Sequence, residues 1–128
     1  MDFQGTVLQG TGEGARYVAL YQSAFLRELG FEAFPGTLNL RVKPASRLPA
    51  GTPIAPPEAG LFPLACTEVI INGKVRGAVI RPQATRHPPE IVEVIAPLNL
   101  RDYFGLRDGD VVRVRIWGAA REGGQHGH

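Results

Sequence analysis

The sequence predicts a mainly β protein, a small closed barrel of six short strands with one amphipathic helix. Three observations carry this. Short stretches of alternating apolar and polar residues recur along the chain, and only one stretch has helical spacing. Asn72-Gly73 sits between two β-branched runs as a hairpin signal. Several short strands in one small chain point to a closed barrel.

Phe3 to Gln9 alternates around Val7 and predicts a first strand, closed by the glycine-rich GTGEG at Gly10 to Gly14. Val18, Tyr21, Phe25 and Leu29 then fall at helical spacing, flanked by Leu20 and Leu26. Gly30 follows as a C-cap, so a helix is expected over 19–29. TLNLRV at Thr37 to Val42 alternates as a strand, and residues 44–60, with five prolines, predict a long irregular loop. Thr67 to Ile71 and Lys74 to Ile80 form the predicted hairpin around a two-residue turn. Ile91 to Ile95 is a further strand, Leu98 to Phe104 a short helical turn, and Val111 to Trp117 the last strand. Before it, LRDGD predicts a turn in which Gly109 supplies a positive φ. Residues 1–118 are expected to form a single domain, without repeat or linker, and 119–128 a disordered tail.

The length of 128 residues, 44% of them hydrophobic, suits one domain with its own core. Cys66 is the only cysteine, which excludes a small scaffold held by internal disulfides. No apolar run reaches the ~20 residues that span a bilayer. The start MDFQGTV lacks the basic-then-apolar order of a secretory signal. A cytoplasmic protein with no membrane partner is expected; oligomeric state is left open. The net charge is +2, and the fourteen basic residues, all arginine except Lys43 and Lys74, are spread along the sequence. A nucleic-acid footprint clusters instead, so no nucleic-acid partner is expected. A small anionic ligand fits the balance.

Three patterns have chemical content. GTGEGA at Gly10 to Ala15 formally matches a dinucleotide fingerprint, but that motif needs a parallel βαβ unit, which this chain does not build. Closely spaced glycines still let backbone N–H groups approach an anion; a plain tight turn is the alternative. In PGTLN at Pro35 to Asn39, Thr37 and Asn39 share one face of a strand. Their neutral oxygens suit a hard ion such as Mg²⁺ when phosphates supply the charge, or they simply form a turn with a polar edge. In the stretch 81–101, Glu93 stands at the parity opposite Val92 and Val94, either on the barrel's outside or at a pocket mouth. Asp102, Asp108 and Asp110 read as caps and turn residues. Neither a zinc-ligand spacing nor a Ser/His/Asp triad has support.

Taken together and in order, these patterns make the chain resemble the CTP-dependent riboflavin kinases typical of archaea. The shared marks are GTGEGARY at Gly10 to Tyr17, LGFEAFPGTLNL at Leu29 to Leu40, and the block from Ala78 to Val114 that opens AVIRPQATRHPPEIVEV. The resemblance covers nearly the whole domain and breaks across 44–62. It implies a six-stranded barrel of the cradle-loop type. It also implies that Thr11, Gly12, Glu13 and Gly14, with Ala15 and Arg16, hold the nucleotide phosphates. Leu98, Asn99, Leu100 and Arg101 correspond to a further nucleotide-binding segment. Thr37 and Asn39 match the family's Mg²⁺-binding positions, one ion per site, and Thr85 and Glu93 its flavin contacts. The implied substrates are CTP and riboflavin, and the implied products FMN and CDP. A non-catalytic flavin- or nucleotide-binding barrel is the alternative, although a mere binder does not require the metal ligands. A nucleic-acid-binding barrel would need a basic cluster or an aromatic series.

Overall fold

A computed structural model describes residues 2–10, 12–43, 49–82 and 88–117. Strand β1 (Asp2–Leu8) pairs antiparallel with β2 (Leu38–Lys43) on one side and β7 (Val111–Ile116) on the other. β2 continues to β6 (Ile91–Ile95), then β5 (Val75–Pro82), then β4 (Leu64–Ile71). The second half of β4 pairs with β7, Val69 opposite Ile116, and this closes six strands into an antiparallel barrel. The first half of β4 carries a seventh strand, β3 (Thr52–Ile54).

Strand alternation sorts the side chains into two cores. Phe3, Val7, Leu40, Ile71, Val94 and Val114 point inward and fill the barrel. The opposite parity places Leu64, Cys66, Ala78, Ile80 and Ile95 on the outward face of β4, β5 and β6. That apolar patch is covered by helix α1 (Gly14–Leu29) through Val18, Tyr21, Phe25 and Leu29. Each large side chain so buried stabilises the fold by about 1.5–3 kcal/mol. Burial also pushes the Cys66 thiol up to about 12, so it stays protonated within this layer.

The helix begins at Gly14, five residues before the periodicity predicts. Gly14, Ala15 and Arg16 bury little, so the first turn carries no apolar signal; Tyr17 stacks on Tyr21, with ring centroids 4.8 Å apart. Gly30 caps the other end at φ 79°, its N–H donating to the Leu26 carbonyl, as expected. The proline-rich 44–60 segment is not wholly irregular, because Thr52–Ile54 pairs along β4. Asn72 and Gly73 do adopt positive φ, 51° and 69°. However, Ile71 faces Val75, so three residues rather than two join β4 and β5. The short helix α2 spans Leu100–Phe104, with Asn99 as its cap: the Asp102 N–H donates to Asn99 Oδ1 at 3.1 Å. Gly109 has φ 94°, and the Arg107 N–H donates to Asp110 Oδ2 at 2.8 Å, the expected turn chemistry. The tail 119–128 lies outside the described residues.

Candidate functional site

The site forms on the outside of the barrel, where the outward face of β2 and β6 runs under the start of α1. Asn39 on β2 stands directly opposite Glu93 on β6. Thr37, two residues before Asn39, shares its face. The Thr37 hydroxyl donates to Glu93 Oε1 at 3.0 Å and lies 3.3 Å from Asn39 Oδ1. Three oxygens from two strands therefore converge. Asn39 is only 6% exposed, the one buried polar residue among those described. A surface turn would leave that amide in water.

The glycine segment arches over this cluster. β1 ends at Leu8, paired with Asn39, and the chain leaves from there into Gln9 and Gly10. A side chain at Gly10 would stand 3.4 Å from Asn39 Oδ1. The chain returns at Gly14, where a Cβ would lie 2.7 Å from Thr37 Oγ1 and 2.8 Å from the Thr37 nitrogen. Gly12 turns the loop at φ 86°, a conformation that favours glycine. At Gly14 the loop thus needs glycine for its close approach to Thr37, whereas Gly10 lies at ordinary contact distance from Asn39. Glu13, the N-cap residue, makes no side-chain cap hydrogen bond, and the first turn of α1 holds no acidic residue. The N-terminal amides and the helix dipole there favour an anion. Ala15 and Arg16 are exposed on the first turn.

On the opposite flank, a pocket of about 220 Å³ is walled by the chain from Phe34 to Leu38 and by Leu98 to Arg101. The Arg101 guanidinium donates to the Leu8 carbonyl at 3.3 Å and pairs with Asp108 at 3.0 Å, tying α2 to the root of the glycine segment. A second recess lies against Glu93, between Ile80–Pro82 and Pro88–Val92. Thr37 lines the first recess and Glu93 the second, and the hydrogen bond between them joins the two walls.

Most residues singled out in the sequence thus come together: Gly12, Glu13, Gly14, Thr37, Asn39, Glu93 and the 98–101 segment. Thr11 and Thr85 lie outside the described residues. Tyr17 ends the shared GTGEGARY mark but has no role assigned from the sequence. Its hydroxyl is buried and makes no hydrogen bond among the described residues. Burial, the adjacent Tyr21 and the Glu93 carboxylate hold its proton on far above the usual phenol range. Nor did sequence spacing show that Arg41, Lys43, Arg113 and Arg115 share the outward surface of β2 and β7, exposed around β1. Such a surface draws anions toward the neighbouring site.

A family model, CTP-dep_RFKase, described as "Domain of unknown function DUF120", matches residues 7–116. The chain belongs to the CTP-dependent riboflavin kinase family. It is 42% identical over 125 residues to the riboflavin kinase of Pyrobaculum arsenaticum, covering 88% of this chain and 59% of that protein. To the riboflavin kinase of Aeropyrum pernix it is 39% identical over 124 residues, covering 89% of this chain and 94% of the relative. The Thermococcus kodakarensis riboflavin kinase is 39% identical over 120 residues, with 57% of its length covered. The chain therefore spans little more than half of several relatives and nearly all of another. No helix among the described residues is long and apolar enough to cross a membrane.

Proposed function

We propose that this chain is a CTP-dependent riboflavin kinase, transferring the γ-phosphoryl group of CTP to the 5′-hydroxyl of riboflavin. The 5′ oxygen bonds to the γ-phosphorus, the bond from phosphorus to the β–γ bridging oxygen breaks, and the hydroxyl proton leaves to water. FMN and CDP result. The observation that carries this reading is the approach of the glycine segment to Thr37 and Asn39, with one recess lined by Thr37 and another by its hydrogen-bond partner Glu93. A phosphoryl donor and an acceptor need such a shared centre.

The donor set fits Mg²⁺. Thr37 Oγ and Asn39 Oδ1 are hard, neutral oxygens 3.3 Å apart. Neighbouring ligands of an octahedral ion at ~2.1 Å stand about 3 Å apart. When bound, Mg²⁺ supplies charge neutralisation on the phosphates. The loose transition state of phosphoryl transfer leaves mainly positioning and electrostatics to the protein. Backbone N–H groups at Gly12 to Gly14 and the start of α1 hold the phosphates, and Arg101 adds a cation. Glu93 accepts from the Thr37 hydroxyl and orients riboflavin on its other side, together with Thr85.

Initial rates of FMN formation with CTP, UTP, ATP and GTP at equal concentration test the donor. CTP should be fastest, and faster turnover with ATP would overturn the cytidine preference while leaving a kinase. Glu93 separates two roles. As a flavin contact, its change Glu93→Gln should chiefly raise the riboflavin KM and leave much of kcat. A general base contributes ~10²–10⁴-fold to rate, so collapse of kcat at unchanged KM would assign that role instead.

A further inference from the structure

Phe34 is a large apolar side chain left 40% exposed. It is neither loose nor at a random point of the surface. Its backbone N–H donates to the Ala96 carbonyl at 2.7 Å, which fixes this residue to the chain running from β6 toward Leu98. Its ring borders the 220 Å³ pocket that also holds Pro35, Gly36, Thr37, Leu98 and Arg101. Gly36, at φ 137°, carries no side chain, and the position its Cβ would take is 4.0 Å from the Phe34 ring. The ring thus lies beside an unobstructed backbone, in a pocket that Thr37 and Arg101 also line.

We infer that Phe34 is the platform on which the nucleobase of the phosphoryl donor stacks. The inference rests on the nucleotide reading of the site given above. A fixed, exposed aromatic ring beside a cation and a phosphate-compatible hydroxyl suits a ligand with a flat π-face and a polyanionic tail. Riboflavin has the flat face but no charge for Arg101 to meet. The pocket is also smaller than the ~300–1,000 Å³ of sites that take drug-sized ligands, and matches one pyrimidine-sized ring. Stacking reads the π-face of any base, so Phe34 provides affinity, whereas polar groups around the ring's edge must choose between bases.

Calorimetric titration of the intact chain with CDP in the presence of Mg²⁺ tests this, alongside steady-state KM values for CTP and riboflavin. Phe34→Ala should weaken CDP binding about 5- to 150-fold, raise the CTP KM in parallel, and leave the riboflavin KM and the thermal midpoint unchanged. Phe34→Tyr keeps the π-face and should restore binding. Phe34→Leu keeps the bulk without the π-face and should not, and this pair carries the test if the alanine variant folds poorly. The platform is overturned if wild type does not bind CDP or if Phe34→Ala binds it normally. Rescue by leucine, or a rise in the riboflavin KM alone, overturns it equally. CDP binding that depends on Phe34, in a protein that forms no FMN, would support the platform and sink the kinase reading.

Discussion

Replacing Thr37 by valine should lower FMN formation by about 10²–10³-fold, the loss typical when one preorganised electrostatic contact to a transition state is removed. Valine keeps the β-branched shape and removes the oxygen. Glu93 Oε1 then loses the donor it holds at 3.0 Å, and Asn39 Oδ1 loses its neighbour. Thr37→Ser, which keeps the hydroxyl, should retain most activity. Asn39→Leu should fall as far, but with a stability cost the sequence alone did not foresee. Asn39 is buried beneath the glycine segment rather than standing at a polar edge. Disturbing a buried polar group costs about 1–3 kcal/mol, so urea unfolding must accompany the rates. The double variant should be little worse than either single, as for groups that act as a unit. Near-normal FMN formation by either single variant would reduce the pair to a turn.

Gly14→Ala should be nearly as damaging, although the residue bears no functional group. A methyl there would meet Thr37 Oγ1 at 2.7 Å and the Thr37 nitrogen at 2.8 Å. The nitrogen belongs to backbone leading directly into β2, so the start of α1 must move instead. A displacement near 1 Å between positioned groups costs about 10²-fold in rate, and overpacking costs about 1–3 kcal/mol in stability. Alanine's better helix propensity, worth about 1 kcal/mol over glycine in a helix interior, offsets only part of that. Rates and unfolding curves for Gly14→Ala, against Ala19→Ser at an exposed position of the same helix, check the claim. Wild-type activity in Gly14→Ala would show that the close approach has no bearing on chemistry.

Strand parity made much of the fold legible. Val7, the TLNLRV strand, Ile91 to Ile95 and the last strand all alternate as the two-sided barrel wall requires, and Gly30 and Gly109 announced their left-handed conformations. The start of α1 was hidden because Gly14, Ala15 and Arg16 bury little and add nothing to the apolar stripe. Strand β3 was hidden because three residues at a sheet edge, one of them Pro53, carry no period. Within the site, shared parity placed Thr37 beside Asn39, but not Glu93 opposite them, since register between distant strands is a tertiary property. The same limit concealed the grouping of Arg41 and Lys43 on β2 with Arg113 and Arg115 on β7, two segments far apart in sequence that flank β1. Phe34 read as part of a loop; only its pinned backbone and the pocket beside it distinguish it.

In the proposed reaction one phosphoryl group passes from the end of CTP to riboflavin at the Thr37–Asn39 cluster. Parallel reactions with CTP labelled at the γ-phosphorus or at the α-phosphorus, with riboflavin and Mg²⁺, test it most directly. The γ-label should appear in FMN, and the α-label should remain entirely in CDP and unreacted CTP, with Thr37→Val slowing the transfer by about 10²–10³-fold. Label recovered only as inorganic phosphate, or FMN formed equally well by Thr37→Val, would contradict it.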